Sequence, residues 1–349
     1  MRIAEPAPYF RDVRTVHSPG SDSVVGPSYA QHEHWLRYQE YFPSGMSFDS
    51  PGEAPAESWW SWRGRRVHVD RVPRPDAPAK LIALHGIGGY GRMLAPYSRL
   101  PSLDVEFLAP DLPGFGLTAS GLRQVTYRTW QQCVTDLVVA EQRKDQRPIV
   151  LMGVGSAGRL AYDVAARAGS GGAPVAGVAP IAGVVATGLA DPRREVVRRR
   201  LASTPELGRW SVLLGLLPGA VSMPLPPAWA PARWLVNIAA MSNHAQFAHA
   251  IWADPLGGGN WMSLGFLRSF VCAPPAVEPE DYAGPPVLLA HPAEDRWTPL
   301  RFSREFFDRL GPAGRFAALH GAGHLPSEES GLADLDRALR DYLDELGLT

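Results

Sequence analysis

The sequence predicts an α/β fold: a mostly parallel sheet with helices on both faces, plus an inserted helical cap. Three observations carry this. Apolar runs of four or five residues alternate with helical spacings of ten or more, the pattern of strands buried on both faces. The alternation stops between about Asp191 and Pro275 and then resumes. Three predicted strand ends run into turns bearing His, Gly or Asp, and open sheets of this class place their sites at such ends.

Residues 1–60, rich in Pro, Ser and Gly, read as an N-terminal extension that wraps the surface, with a short helix around Tyr29 to Tyr41. A core follows in two pieces, 61–190 and 276–349. From Ser61 onward, Trp62, Val67 and Val69 alternate with polar residues and predict a strand. Leu81 to Leu84 forms the next strand and ends at His85-Gly86; Val105 to Ala109 ends at Asp111-Leu112-Pro113-Gly114-Phe115-Gly116. Tyr127 to Gln142 has helical spacing. Ile149 to Met152 then runs through Gly153-Val154-Gly155-Ser156-Ala157-Gly158 into a helix over Arg159 to Arg167. The late part reads as strand Val287 to Ala290, helix Leu300 to Leu310, strand Phe316 to Leu319 and helix Leu332 to Leu346.

The insert, 191–275, forms the cap. Asp191-Pro192 fits a helix N-cap followed by Pro at the first helical position. Trp210, Trp229, Trp234, Trp252 and Trp261, five of the eleven tryptophans, fall within it. Two uncharged stretches, Gly169 to Ala190 and Trp210 to Pro231, are long enough to span a bilayer but are broken by Pro and Gly. They are read as a buried strand and an apolar lid.

With 349 residues, 45% hydrophobic and 20% charged, the chain falls among globular proteins rather than disordered or membrane classes. The balance of 34 basic against 35 acidic residues provides no field to gather nucleic acid or an anionic membrane, so neither is expected as a partner. Cys133 and Cys272 are too few for a disulfide framework, and Met1 to Arg14 lacks a signal-peptide core, so a cytoplasmic location is expected. No oligomeric state is assigned. The His320/His324 and His32/His34 pairs lack a metal-site context, and no phosphate loop or dinucleotide fingerprint is present, so neither metal nor cofactor is expected. The basic run Arg193, Arg194, Arg198, Arg199 and Arg200 reads as a solvated helix face.

His85-Gly86-Ile87-Gly88-Gly89, the Asp111 turn, Gly153 to Gly158, Asp295-Arg-Trp-Thr-Pro and Gly-Ala-Gly-His324 stand in the order of motifs in the α/β-hydrolase family, which the chain resembles over about 64–190 and 283–345. The family's elbow reads Gly-x-Ser-x-Gly, with small residues two before and two after a nucleophile in a strained turn. Two registers fit. Gly155 at the nucleophile position leaves Gly153 and Ala157 as the small neighbours but removes the hydroxyl. Ser156 restores a hydroxyl but puts Val154 where a small residue is needed. The steric requirement favours Gly155, and glycine suits a strained turn because it lacks Cβ. An inactivating substitution, a natural loss of hydrolysis and a site rebuilt on Ser156 all fit this pattern.

The resemblance implies the remaining roles. His324 is expected as general base and Asp295 as the acid that orients it, with Glu294 and Glu328 as weaker alternatives. The N–H groups of Ile87 and Ser156 are expected to face an oxyanion. Asp111 and His85 are expected to be structural, holding the loops around them. Trp210, Trp229 and Trp234 are expected to line an apolar substrate pocket. The function implied is a carboxylic-ester hydrolase acting on an apolar small molecule, with nucleophile deficiency as one reading of Gly155. The alternative is a lyase, cyclase or isomerase using His324 as its acid/base, or a binding protein. On the first reading the chain hydrolyses simple esters poorly, Gly155→Ser raises the rate and Ser156→Ala changes it little.

Overall fold

The computed structural model describes residues 26–48, 51–121, 125–169, 181–214 and 229–349. The signal-peptide reading of Met1 to Arg14 and most of the predicted apolar lid fall outside these residues.

The strands of the core follow the apolar runs. They are β1 (Ala56–Trp62), β2 (Arg65–Val72), β3 (Lys80–Leu84), β4 (Glu106–Pro110), β5 (Ile149–Gly153), β6 (Ile181–Ala186), β9 (Val287–Pro292) and β10 (Gly314–Leu319). They form one sheet in the order β1-β2-β4-β3-β5-β6-β9-β10. From β4 to β10 all neighbours are parallel, whereas β2 meets both β1 and β4 antiparallel. Every residue of β3, β4, β5 and β9 is buried, as continuous apolar runs require when helices cover both faces. The helices named here are α1 (His34–Tyr38), α2 (Tyr127–Asp145), α3 (Ala157–Gly169), α4 (Glu195–Leu201), α5 (Pro205–Leu214), α6 (Ala232–Leu235), α7 (Ala245–Ala253), α8 (Leu264–Val271), α9 (Leu300–Phe307) and α10 (Glu329–Glu345). The segment between β6 and β9 contributes α4 to α8 and a short ribbon of β7 (Trp229–Pro231) with β8 (Trp261–Ser263). Among the described residues no helix is long and apolar enough to cross a membrane.

Three expectations change. The strand predicted from Ser61 is two strands of a hairpin, turned at Arg63-Gly64 with φ of 46° and 75°. Arg rather than Asn or Asp at the first left-handed position hid the turn. The N-terminal segment does not merely wrap the surface: Tyr29, Trp35 and Tyr38 are each 1% exposed. The Tyr38 hydroxyl donates to Asp254 in the inserted segment (2.5 Å), and that of Tyr29 donates to Asp111 (2.7 Å). Finally, Asp191 is not a helix cap. It accepts from the backbone N–H and guanidinium of Arg193 and closes a turn, and α4 begins at Glu195.

A buried polar cluster ties the edge strands to this segment. His68 lies 3.0 Å from Glu57, 3.2 Å from Asp111 and 3.8 Å from Asp70, while Arg92 forks onto Asp70. Burial pulls the His68 pKa down, but the surrounding carboxylates outweigh it and lift the pKa to about 10. A histidine with a raised folded-state pKa contributes stability that is complete below its unfolded pKa of about 6.5 and is lost as pH rises through the folded value. The melting temperature is therefore expected to fall between about pH 7 and pH 10. Calorimetry across that window checks this; a slope unchanged in His68→Gln would remove His68 as its source.

Candidate active site

The site forms where β5 passes into α3. Val154 donates to the Leu84 carbonyl (3.0 Å) and Gly155 donates to Thr187 Oγ1 (2.7 Å), fixing the turn between β3 and the end of β6. At position 153 glycine is sterically required. A Cβ on Gly153 would lie 2.1 Å from the Ala157 carbonyl oxygen, so the strand and helix cross too closely for any side chain. Gly155 has φ +57°, the left-handed conformation. A Cβ built on Gly155 would lie 2.4 Å from His324 Nε2. The residue that faces the histidine is thus Gly155.

Ser156 faces elsewhere. Its Oγ accepts from the Ile87 N–H at 3.2 Å. That leaves the hydroxyl hydrogen available to another acceptor. The loop presenting Ile87 is set by His85, whose Nε2 accepts from Leu112 N (2.9 Å) and whose Nδ1 donates to the Gly86 carbonyl (2.9 Å). Burial lowers the His85 pKa, which keeps this ring neutral in that tautomer. Asp111 holds the neighbouring loop by accepting from the N–H groups of Gly91 (2.7 Å) and Leu117 (2.8 Å).

His324 sits on the loop after β10 and Asp295 on the loop after β9. Their side chains are almost wholly buried and meet at 2.8 Å between Nδ1 and Oδ2. Asp295 also accepts from the N–H groups of Trp297 (2.7 Å) and Thr298 (2.8 Å), and from Thr298 Oγ1 (2.7 Å). Burial pushes its pKa up, but His324 and the Thr298 donors outweigh it and hold the carboxyl well below the usual range. An ionised Asp295 keeps the proton on His324 Nδ1 and leaves the Nε2 lone pair facing Gly155. Glu294 is exposed, and Glu328 accepts from the N–H groups of Gly323 and Ser327, pinning the His324 loop. Neither contacts the imidazole. His320 is exposed and bound to Asp334.

Beside these groups lies a cavity whose walls combine Gly155, Ser156, His324 and Ile87 with residues of α4, α5, α6 and α8. Its apolar wall is leucine, valine and phenylalanine: Leu201, Leu207, Leu235, Val236, Leu267 and Phe270. This corrects the expectation for tryptophan. Trp210 is 50% and Trp234 61% exposed, Trp229 is half-buried in β7, and none of the three lines the cavity. The phase of α5 turns Leu207 and Ser211 inward and Trp210 outward, and in α6 Leu235 faces inward next to an outward Trp234. Trp297 is the tryptophan on the wall, 4.7 Å from the His324 ring between centroids. Arg198 is a further correction, since it lines the cavity instead of a solvated face. Arg159 and Thr298 were also missed as site residues. Arginine in the first turn of a helix gave no signal for the former, and the Thr within Asp295-Arg-Trp-Thr-Pro was a usable one for the latter.

A model of the alpha/beta hydrolase family matches residues 81–338. Among solved structures the chain is similar to a monoacylglycerol lipase from Paleococcus ferrophilus, with 19% identity, 80% of this chain and 99% of that one covered, and a TM-score of 0.61. It is also similar to a soluble variant of monoglyceride lipase from Saccharomyces cerevisiae, with 12% identity, 86% and 98% coverage, and a TM-score of 0.63. A putative aryl esterase from Burkholderia cenocepacia gives 18% identity, 83% and 99% coverage, and a TM-score of 0.54. These identities speak for the fold alone. Among curated proteins no sequence matches. The family match over well over half of the chain, on a mostly parallel sheet that carries its glycine turn between β5 and α3, places the chain in the alpha/beta hydrolase family.

Proposed function

We propose that the chain is an enzyme in which His324, oriented by Asp295, acts as general base on a small, largely apolar molecule, with no side-chain nucleophile at residue 155. One observation carries this reading: the imidazole's Nε2 points into the space where a nucleophile's side chain would start, 2.4 Å from the position of a Cβ on Gly155. In the hydrolytic form, water gives a proton to Nε2 while its oxygen attacks an ester carbonyl. Asp295 stabilises the imidazolium, which returns the proton to the leaving alkoxide, and acid and alcohol depart without an acyl-enzyme. The Ser156 N–H is the first donor to the developing oxyanion. Ile87 N–H joins it directly if Ser156 Oγ turns aside, or through the Ser156 hydroxyl that it already supports. The segment 191–275 serves as the cap over this chemistry. Both thiols are free, which suits the cytoplasm as its compartment.

A second reading has the same base take a proton from the substrate itself, as a lyase, cyclase or isomerase. The pairing of a missing hydroxyl with an intact, buried Asp-His pair favours it, because simple binding needs neither group.

Stopped-flow hydrolysis of p-nitrophenyl butyrate to octanoate tests the first reading. Turnover is expected to be slow, linear from the first turnover, lost in His324→Gln and little changed in Ser156→Ala. A burst equal to the enzyme concentration that vanishes in Ser156→Ala would make Ser156 the nucleophile. Absence of turnover on every ester would leave the second reading.

A further inference from the structure

Arg159, one helical turn past the elbow, is 3% exposed and lines the same cavity as Gly155 and His324. Its Nε donates to Asp163 (3.0 Å), but neither Nη1 nor Nη2 has a hydrogen-bond partner. Asp191 lies 3.8 Å from Nη1, beyond hydrogen-bond distance, and is held by Arg193. Asp163 is itself shared with the Tyr127 hydroxyl, Gln131 Nε2 and the Ala276 N–H. A buried guanidinium with two unpartnered nitrogens is costly unless something else fills that edge. The second arginine of the wall, Arg198, donates from Nη1 to the carbonyls of Pro192 and Arg193, and its Nε is also buried without a partner. Among the described residues no Asp or Glu lines the cavity.

We propose that Arg159, supported by Arg198, is an anion subsite that takes a carboxylate carried by the substrate, whose apolar body lies along Leu201, Leu207, Leu235 and Phe270. The paired Nη edge of a guanidinium matches the two oxygens of a carboxylate, while Phe306, with its ring centroid 5.1 Å from the Arg159 guanidinium carbon, keeps the group in place. The substrate class is thereby an apolar carboxylic acid that carries its reacting carbonyl or acidic carbon elsewhere in the molecule.

The inference rests on the cavity being the substrate site, and its test reads binding, not turnover. Titration of the chain with octanoate, octanamide and octyl phosphate, followed by calorimetry, is the experiment. Octanoate is expected to bind at least tenfold tighter than octanamide, and Arg159→Gln to abolish that preference. Equal binding of acid and amide to the native chain, or no binding of octanoate, overturns the proposal, and this comparison needs no variant to fold. Octyl phosphate binding more tightly than octanoate overturns the carboxylate assignment. A preference for octanoate that survives both Arg159→Gln and Arg198→Gln removes the arginines. Octanoate binding in a chain that turns over no substrate by His324 would keep the subsite and discard the proposed chemistry.

Discussion

His324→Gln is expected to lower kcat/KM on the best substrate by about 10²- to 10⁴-fold, the range spanned by a positioned general base. The effect is large because no other titratable side chain lining the cavity can take a proton near neutral pH: its remaining charged lining residues among those described are Arg159 and Arg198. Glutamine is a replacement of similar size that stays uncharged and offers no nitrogen able to accept a proton. Asp295 keeps its three donors from Trp297 and Thr298, so the buried carboxylate stays satisfied and the melting temperature is expected to move little. Steady-state kinetics and a thermal melt on the same preparation check both parts. A variant with undiminished kcat/KM would take the chemistry away from His324.

Gly155→Ser is expected to raise kcat on an activated ester at least tenfold and to introduce a burst of product absent from the native chain. A hydroxyl at residue 155 would face Nε2 directly and restore covalent catalysis, whose loss in complete triads leaves only about 10³ to 10⁴ over water. The gain falls short of a full triad because the added Cβ meets Nε2 at 2.4 Å and the ring must retreat. Asp295 at 2.8 Å and the Trp297 ring resist that retreat. A non-glycine residue at φ +57° also costs on the order of 1–3 kcal/mol, so the melting temperature falls as the activity rises. Pre-steady-state kinetics of the variant, with no burst and no gain, would place the lesion elsewhere than the missing hydroxyl.

Legibility in the sequence followed the range of the interactions. Apolar runs of four or five residues bounded by turn residues are too short for buried helices and read as strands, and β3, β4, β5 and β9 stand within a residue or two of their predicted places. The turn at Gly153 to Gly158 was equally readable, because a Cβ on Gly153 would lie 2.1 Å from the Ala157 carbonyl oxygen and only glycine fits there. Choosing between Gly155 and Ser156 rested on that steric rule; in the structure a Cβ on Gly155 would lie 2.4 Å from His324 Nε2, while Ser156 Oγ accepts from Ile87 N–H. The burial of Tyr29 and Tyr38 was not legible, since their partners Asp111 and Asp254 lie 82 and 216 residues away. Cavity walls failed for a related reason. Large aromatics in an insert suggest a pocket, yet helix phase decides which residue turns inward, and in α5 and α6 it selects Leu207 and Leu235 over Trp210 and Trp234. Arg198 looked like one charge in a solvated run, and only the packing of α4 places it at the cavity.

Whether any side chain of the native chain acts as a nucleophile is decided by intact-mass spectrometry after incubation with diisopropyl fluorophosphate, with Gly155→Ser treated in parallel. The native mass is expected to stay unchanged, because Gly155 offers no hydroxyl and Ser156 Oγ is turned to Ile87 N rather than to His324. The variant is expected to gain one phosphoryl adduct at residue 155. A stoichiometric adduct on Ser156 of the native chain would contradict the account and make Ser156 the working nucleophile.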